Sequence, residues 1–129
     1  MAVTTKILSD TKHHAKVLLT WNADSAATAA AVDASGLSDH SNGAKLHITN
    51  IVYGVGIGEV LLEFKGASSD VTAINLCGSG HYYGAVIKNT ATNTGATGGD
   101  IKATTTNSSS GFALLTMQKE GFGEATESF

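Results

Sequence analysis

The chain has 129 residues and a formal charge of −3, with 42% hydrophobic and 15% charged residues. That length fits one domain with one core, and the charge balance lacks the basic stripe that phosphate contacts require, which argues against a nucleic-acid partner. The only cysteine, Cys77, excludes an internal disulfide, and no stretch approaches the ~20 apolar residues of a membrane span. Charge falls well below the usual ~25%, so surface polarity must come mostly from Ser, Thr, Asn and Gly, a surface suited to close packing. Residues 1–9 show no charged segment followed by an apolar run of signal-peptide length. The expectation is a soluble protein made in the cytoplasm.

In chain order, residues 1–12 read as an N-terminal arm or as an edge strand, the two readings standing side by side. Residues 15–21 are rich in strand formers, and Val17, Leu19 and Trp21 share one face. Residues 24–32 hold five alanines after Asp24 and Ser25, which predicts a short helix or, equally, a long loop. The turn at residues 33–39 offers Leu37 as its anchor in the core. Residues 45–53 start as an alternating strand whose apolar parity shifts near Asn50, which predicts a bulge there or burial on both faces.

Gly54, Gly56 and Gly58 superficially resemble a phosphate-cradling loop, but a strand follows where that loop needs a helix, so they are assigned to a hairpin turn. Residues 59–65 alternate cleanly, with Val60, Leu62 and Phe64 opposite Glu59, Glu63 and Lys65. Further strands are predicted over 71–77, 81–88, 100–106 and 112–119, separated by turns at Gly78-Ser79-Gly80, at 95–99 and at 107–111. Along the last strand Phe112 and Leu114 share one face while Ala113, Leu115 and Met117 share the other. That pattern predicts burial on both sides, as in a central or interfacial strand. Residues 121–129 read as a tail outside the core.

The fold expected is therefore all-β, an antiparallel sandwich or jelly-roll-like barrel of about seven or eight strands with at most one short helix. The domain proper is expected over 13–120. No residue set suggests catalysis. Cys77, Ser79 and His81 bring a thiol, a hydroxyl and an imidazole close in sequence, yet a glycine-flanked turn fixes neither a base nor an oxyanion pocket. The five histidines lack the spacing of a zinc site, and the aspartates fall at turns where Asp bonds backbone. No cofactor and no metal are expected. Tyr82 and Tyr83 must face opposite sides of their strand, one of them in the core with its hydroxyl bonded.

Residues 1–11, the Val32-Asp33-Ala34-Ser35-Gly36-Leu37 turn, Ile51-Val52-Tyr53 leading to Val60-Leu61-Leu62-Glu63-Phe64, and residues 98–106 together resemble a family of small virion structural proteins of tailed bacteriophages. The similarity covers most of the chain in order, whereas residues 23–32 and 77–83 depart from the family pattern. The resemblance implies a non-enzymatic virion component, on the capsid, in the neck or on the tail. Among these the reading adopted is a head decoration, or cement, protein. Its expected partners are the major capsid protein and copies of itself, as a trimer at local three-fold positions. The neck or tail, and a glycan-binding adhesion module, are the alternatives. Candidate contact residues toward capsid or neighbouring subunits are Val3, Ile7, Leu8, Phe112, Leu115, Met117, Phe122 and Phe129, with residues 1–10 as the docking arm.

Overall fold

A computed structural model describes residues 3–22, 27–106 and 109–122. They form an antiparallel, nearly closed β-barrel or sandwich of seven strands. In chain order these are β1 (Thr4–Asp10), β2 (His14–Asn22), β3 (Ala27–Val32), β4 (Lys45–Phe64), β5 (Val71–Ile87), β6 (Ile101–Thr105) and β7 (Ser110–Glu120). No described helix is long and apolar enough to cross a membrane.

The long β4 organises the rest. Residues 45–57 pair with β7, whereas residues 60–64 pair with β6, and β5 follows β4 along its other edge. Two layers result, ordered β1-β2-β7-β4-β5 and β3-β6-β4-β5, which share the β4–β5 ribbon. The turn between them lies where residues 56–59 of β4 stand opposite Cys77 alone, since Val55 pairs with Gly78 and Val60 with Leu76. A bulge of this kind bends the strand and raises its twist. Gly58 makes it possible: its φ is +72°, and a Cβ there would fall on the Thr106 hydroxyl.

The hairpin turns expected at Gly54–Gly58 and at Gly78–Gly80 are thus both absent. In each case the glycines carry one strand through a corner, so four expected strands become two. The helix or loop expected over 24–32 is corrected as well. Residues 27–32 form β3 along β6, with Ala29 opposite Ala103, while 23–26 lie outside the described residues. Alanine's helix preference is weak in so short a segment, and the ladder offered by β6 overrides it. Among the described residues the one helical turn is a 3₁₀ turn at Ala34–Gly36, capped by the Asp33 carboxylate, which accepts from the Ser35 N–H.

The core is made by alternation. Val17, Leu19, Leu46, Ile48, Ile51, Leu62, Phe64, Ile101, Leu115 and Met117 are fully buried. The parity shift expected near Asn50 is present as a register break between Ile48 and Asn50, which lets both Ile48 and Ile51 face inward. Leu37 is buried as its turn position predicted. Trp21 is buried with its indole N–H donating to Ser109 Oγ at 3.0 Å.

Candidate interaction site

β1 and β3 each have one paired edge, toward β2 and β6 respectively. Their other edges approach each other without forming a ladder, bridged by the Thr5 hydroxyl donating to the Ala31 carbonyl. Beside that bridge opens a cleft of about 240 Å³ whose lining includes Thr5, Ile7, Val17, Val32, Asp33 and Leu37. Its floor is apolar because Ile7 sits opposite Val17 in the β1–β2 register and Leu37 packs from the 3₁₀ turn. Ile7 keeps 47% of its surface exposed although it lies on the inward parity of β1. An apolar slot between strand rims with unpaired backbone groups is chemically suited to receive an extended segment, by main-chain hydrogen bonds along a rim and an apolar side chain in the slot.

The far end of β1 is fixed very differently. The Lys119 ammonium, its side chain 1% exposed, lies 2.5 Å from Asp10 Oδ1 and donates to the carbonyls of Thr11 at 2.6 Å and Ser38 at 3.0 Å. It also sits 5.1 Å from the centre of the Phe122 ring. Asp10 Oδ2 accepts from the Ser38 N–H and hydroxyl. Burial pulls the Asp10 carboxyl upward, but the Lys119 and Ser38 hydrogen bonds outweigh it and hold the group below its ordinary range. Every donor of the buried ammonium thereby has a partner. This clasp ties the end of β1, the loop after the 3₁₀ turn and the end of β7 together.

A second polar device stands at the start of β4. His47 is buried, its Nδ1 accepts from the Asn89 N–H at 3.0 Å, and its Nε2 lies 2.5 Å from Glu120 Oε1. The Asn89 contact leaves the proton on Nε2, facing the carboxylate, and this hydrogen bond holds Glu120 below its ordinary range. Four aspartates accept backbone N–H groups: Asp10 from Ser38, Asp33 from Ser35, Asp70 from Gly66 and Asp100 from Ala34. Burial raises the Asp100 carboxyl. Among the described residues no three His, Cys, Asp or Glu side chains cluster as a metal site. Cys77, Ser79 and His81 lie along an exposed part of β5, where His81 bonds Asn50 Oδ1 at 2.8 Å and stacks on Tyr83. Tyr82 packs against the core with its hydroxyl on the Ala85 carbonyl, and Tyr83 is 69% exposed.

The candidate contact residues separate into groups. Ile7 lines the cleft, and Val3 is half-buried against the core. Leu8 occupies the register break between Ile7 and Ser9 and is exposed. Phe112 lies exposed on the outer face of the β1-β2-β7-β4-β5 layer. Leu115 and Met117 are wholly buried in the chain's own core, so the inward face of β7 offers nothing to a neighbour, and only its Phe112–Leu114 face looks outward. Phe122 is buried within its own chain, beneath Lys119 and edge-on to His40. Phe129 lies outside the described residues. Sequence reasoning missed Lys119, although it carries a signal: it continues the buried parity of Ala113, Leu115 and Met117.

No protein-family model and no curated protein matches the sequence. Solved structures similar to the chain include a cupin superfamily protein from Desulfitobacterium hafniense, with TM-score 0.38 and 12% identity, covering 91% of this chain and 76% of that one. The cupin domain of Cnp3 from Schizosaccharomyces pombe gives 0.43 and 7%, with 96% and 66% covered. A cupin domain from Bordetella pertussis gives 0.40 and 12%, with 92% and 94% covered.

Proposed function

We propose that this chain is a non-enzymatic virion structural protein of a tailed bacteriophage, a decoration protein that attaches to the assembled head and strengthens it. The observation that carries the reading is the cleft between the unladdered edges of β1 and β3, where Ile7 lies half-open above an apolar floor. Such a slot takes an extended segment of a capsid subunit by strand addition, and a β scaffold held rigid around it resists deformation of the shell. In this reading the partner is the major capsid protein, as the sequence resemblance to phage virion proteins implies. Residues 4–10 then act as an edge strand that receives the partner, in place of a free arm that reaches for it.

The test is to add purified protein to capsids that lack it and follow co-sedimentation and heat resistance. The expected result is saturable addition and a higher capsid melting temperature, both strongly reduced by Ile7→Asn. Protein that ignores capsids while forming rings would assign it to the neck or tail. Retention on a polysaccharide column without capsid binding would assign it to adhesion.

A further inference from the structure

The outer face of the β1-β2-β7-β4-β5 layer carries a pattern that matches itself. The registers place residues from β2, β7, β4 and β5 in rows across the strands. One row runs Lys16, Thr116, Asn50, Tyr83, and the next runs Leu18, Leu114, Val52, His81. In the third, Phe112 lies opposite Gly54, with its ring over that glycine: a Cβ on Gly54 would stand 2.8 Å from the ring. Phe112 is 40% exposed, Val52 36% and Tyr83 69%, so exposed apolar side chains run diagonally across these rows.

We propose that this face is the two-fold interface of a homodimer. Rotating a second copy by 180° about an axis that runs along the strands, midway between β7 and β4, sets β2 of one copy over β5 of the other and β7 over β4. Each row then meets its own reverse. Lys16 of each copy comes over the Tyr83 ring of the other, a cation–π contact made twice. Leu114 meets Val52, and the two Phe112 rings, each laid on its own Gly54, meet beside the axis. The only full charge in these rows is Lys16, and the rotation sets it against an aromatic ring with no like charge opposite. A partner of unrelated chemistry would have no reason to match this reversal.

The patch is large enough. Four strands at about 4.8 Å and nine residues at about 3.3 Å give on the order of 600 Å² per copy before side-chain relief is counted. Two copies together clear the roughly 1,000 Å² expected of a specific contact. Sheets stacked this way keep their strands within about 30°, so the central rows stay matched while the sheet ends diverge. This contact leaves the β1–β3 cleft on the opposite flank of each copy free.

The experiment is sedimentation equilibrium of the free protein from 1 to 200 µM, with no capsid present, so its outcome is independent of the decoration reading. The expected result is a species of twice the 13.1 kDa chain mass. Phe112→Ser is expected to weaken self-association at least ~100-fold, because it removes both rings at the axis, and Tyr83→Ser about 10-fold, because the Lys16 contact it removes is made twice. Tyr83 is mostly exposed, so its variant keeps the fold even where Phe112→Ser does not, and circular dichroism checks both. Three results would overturn the proposal: a monomer throughout, a trimer or larger ring, or a dimer whose constant neither substitution moves.

Discussion

One strand, β1, is held in two opposite ways along its length. At Asp10 it is anchored by a buried ammonium whose donors are all used, and at Thr5 to Ile7 its free edge is bridged to β3 by a side-chain hydroxyl beside an apolar slot. The first arrangement spends a buried charge to fix position. The second leaves main-chain groups and an isoleucine open. Together they keep an edge strand in place without covering it, which is what a receptor for an added strand needs.

The largest expected effect breaks the fixed end. Lys119→Ala takes the ammonium from Asp10 Oδ1 and from the Thr11 and Ser38 carbonyls, at a cost of about 3 kcal/mol; the low end of the range applies because Asp10 keeps its two Ser38 donors and its side chain keeps 19% exposure. Urea unfolding monitored by Trp21 fluorescence reads this, and a loss below 1 kcal/mol would show that the clasp is not fixing β1. Acid should loosen the same end. Asp10 and Glu120 both titrate below their ordinary values of 3.8 and 4.5, so their stabilisation is complete above those values and is lost as pH falls through the depressed folded-state ones. A melting series from pH 6 to pH 2 should drop most steeply at its acid end, and Lys119→Ala should flatten that drop.

Effects at the open edge should be smaller. Thr5→Val removes the bridge to Ala31 and is expected to cost about 1 kcal/mol, with faster amide exchange on β3 than on β6. Equal exchange in both strands would mean the seam is held by something other than that bond. Gly36, at the cleft rim, has open space where a Cβ would stand and no left-handed φ. Gly36→Ala should therefore stabilise by about 0.4–1 kcal/mol through the unfolded chain. A loss of stability would contradict the space assigned there.

The sheet content and the core were readable from alternation alone. Val17, Leu19 and Trp21, then Val60, Leu62 and Phe64, face inward as their period of two requires. The bulge at Asn50 was readable because parity fails there. What escaped the sequence was the meaning of the glycines, since Gly54 to Gly58 and Gly78 to Gly80 have the composition of hairpin turns and differ from them only in what β6 and β7 offer further along the chain. Residues 27–32 escaped for a similar reason: a run of alanines records its helix preference and not the neighbour that overrules it. The cleft was legible only through Ile7, because its other walls come from β2, β3 and the 3₁₀ turn.

The position of β7 between β2 and β4 has a consequence for how the molecule is made. β2 has β1 as its hairpin partner, but the layer they belong to has no centre until residues 110–120 arrive. During synthesis at about 5–20 residues per second, β2 therefore waits several seconds for its second neighbour. Closing so long a loop before any reward makes folding slow, on the millisecond-to-second scale of β-sandwiches. Among the described strands, the one made latest is thus the one that completes this layer.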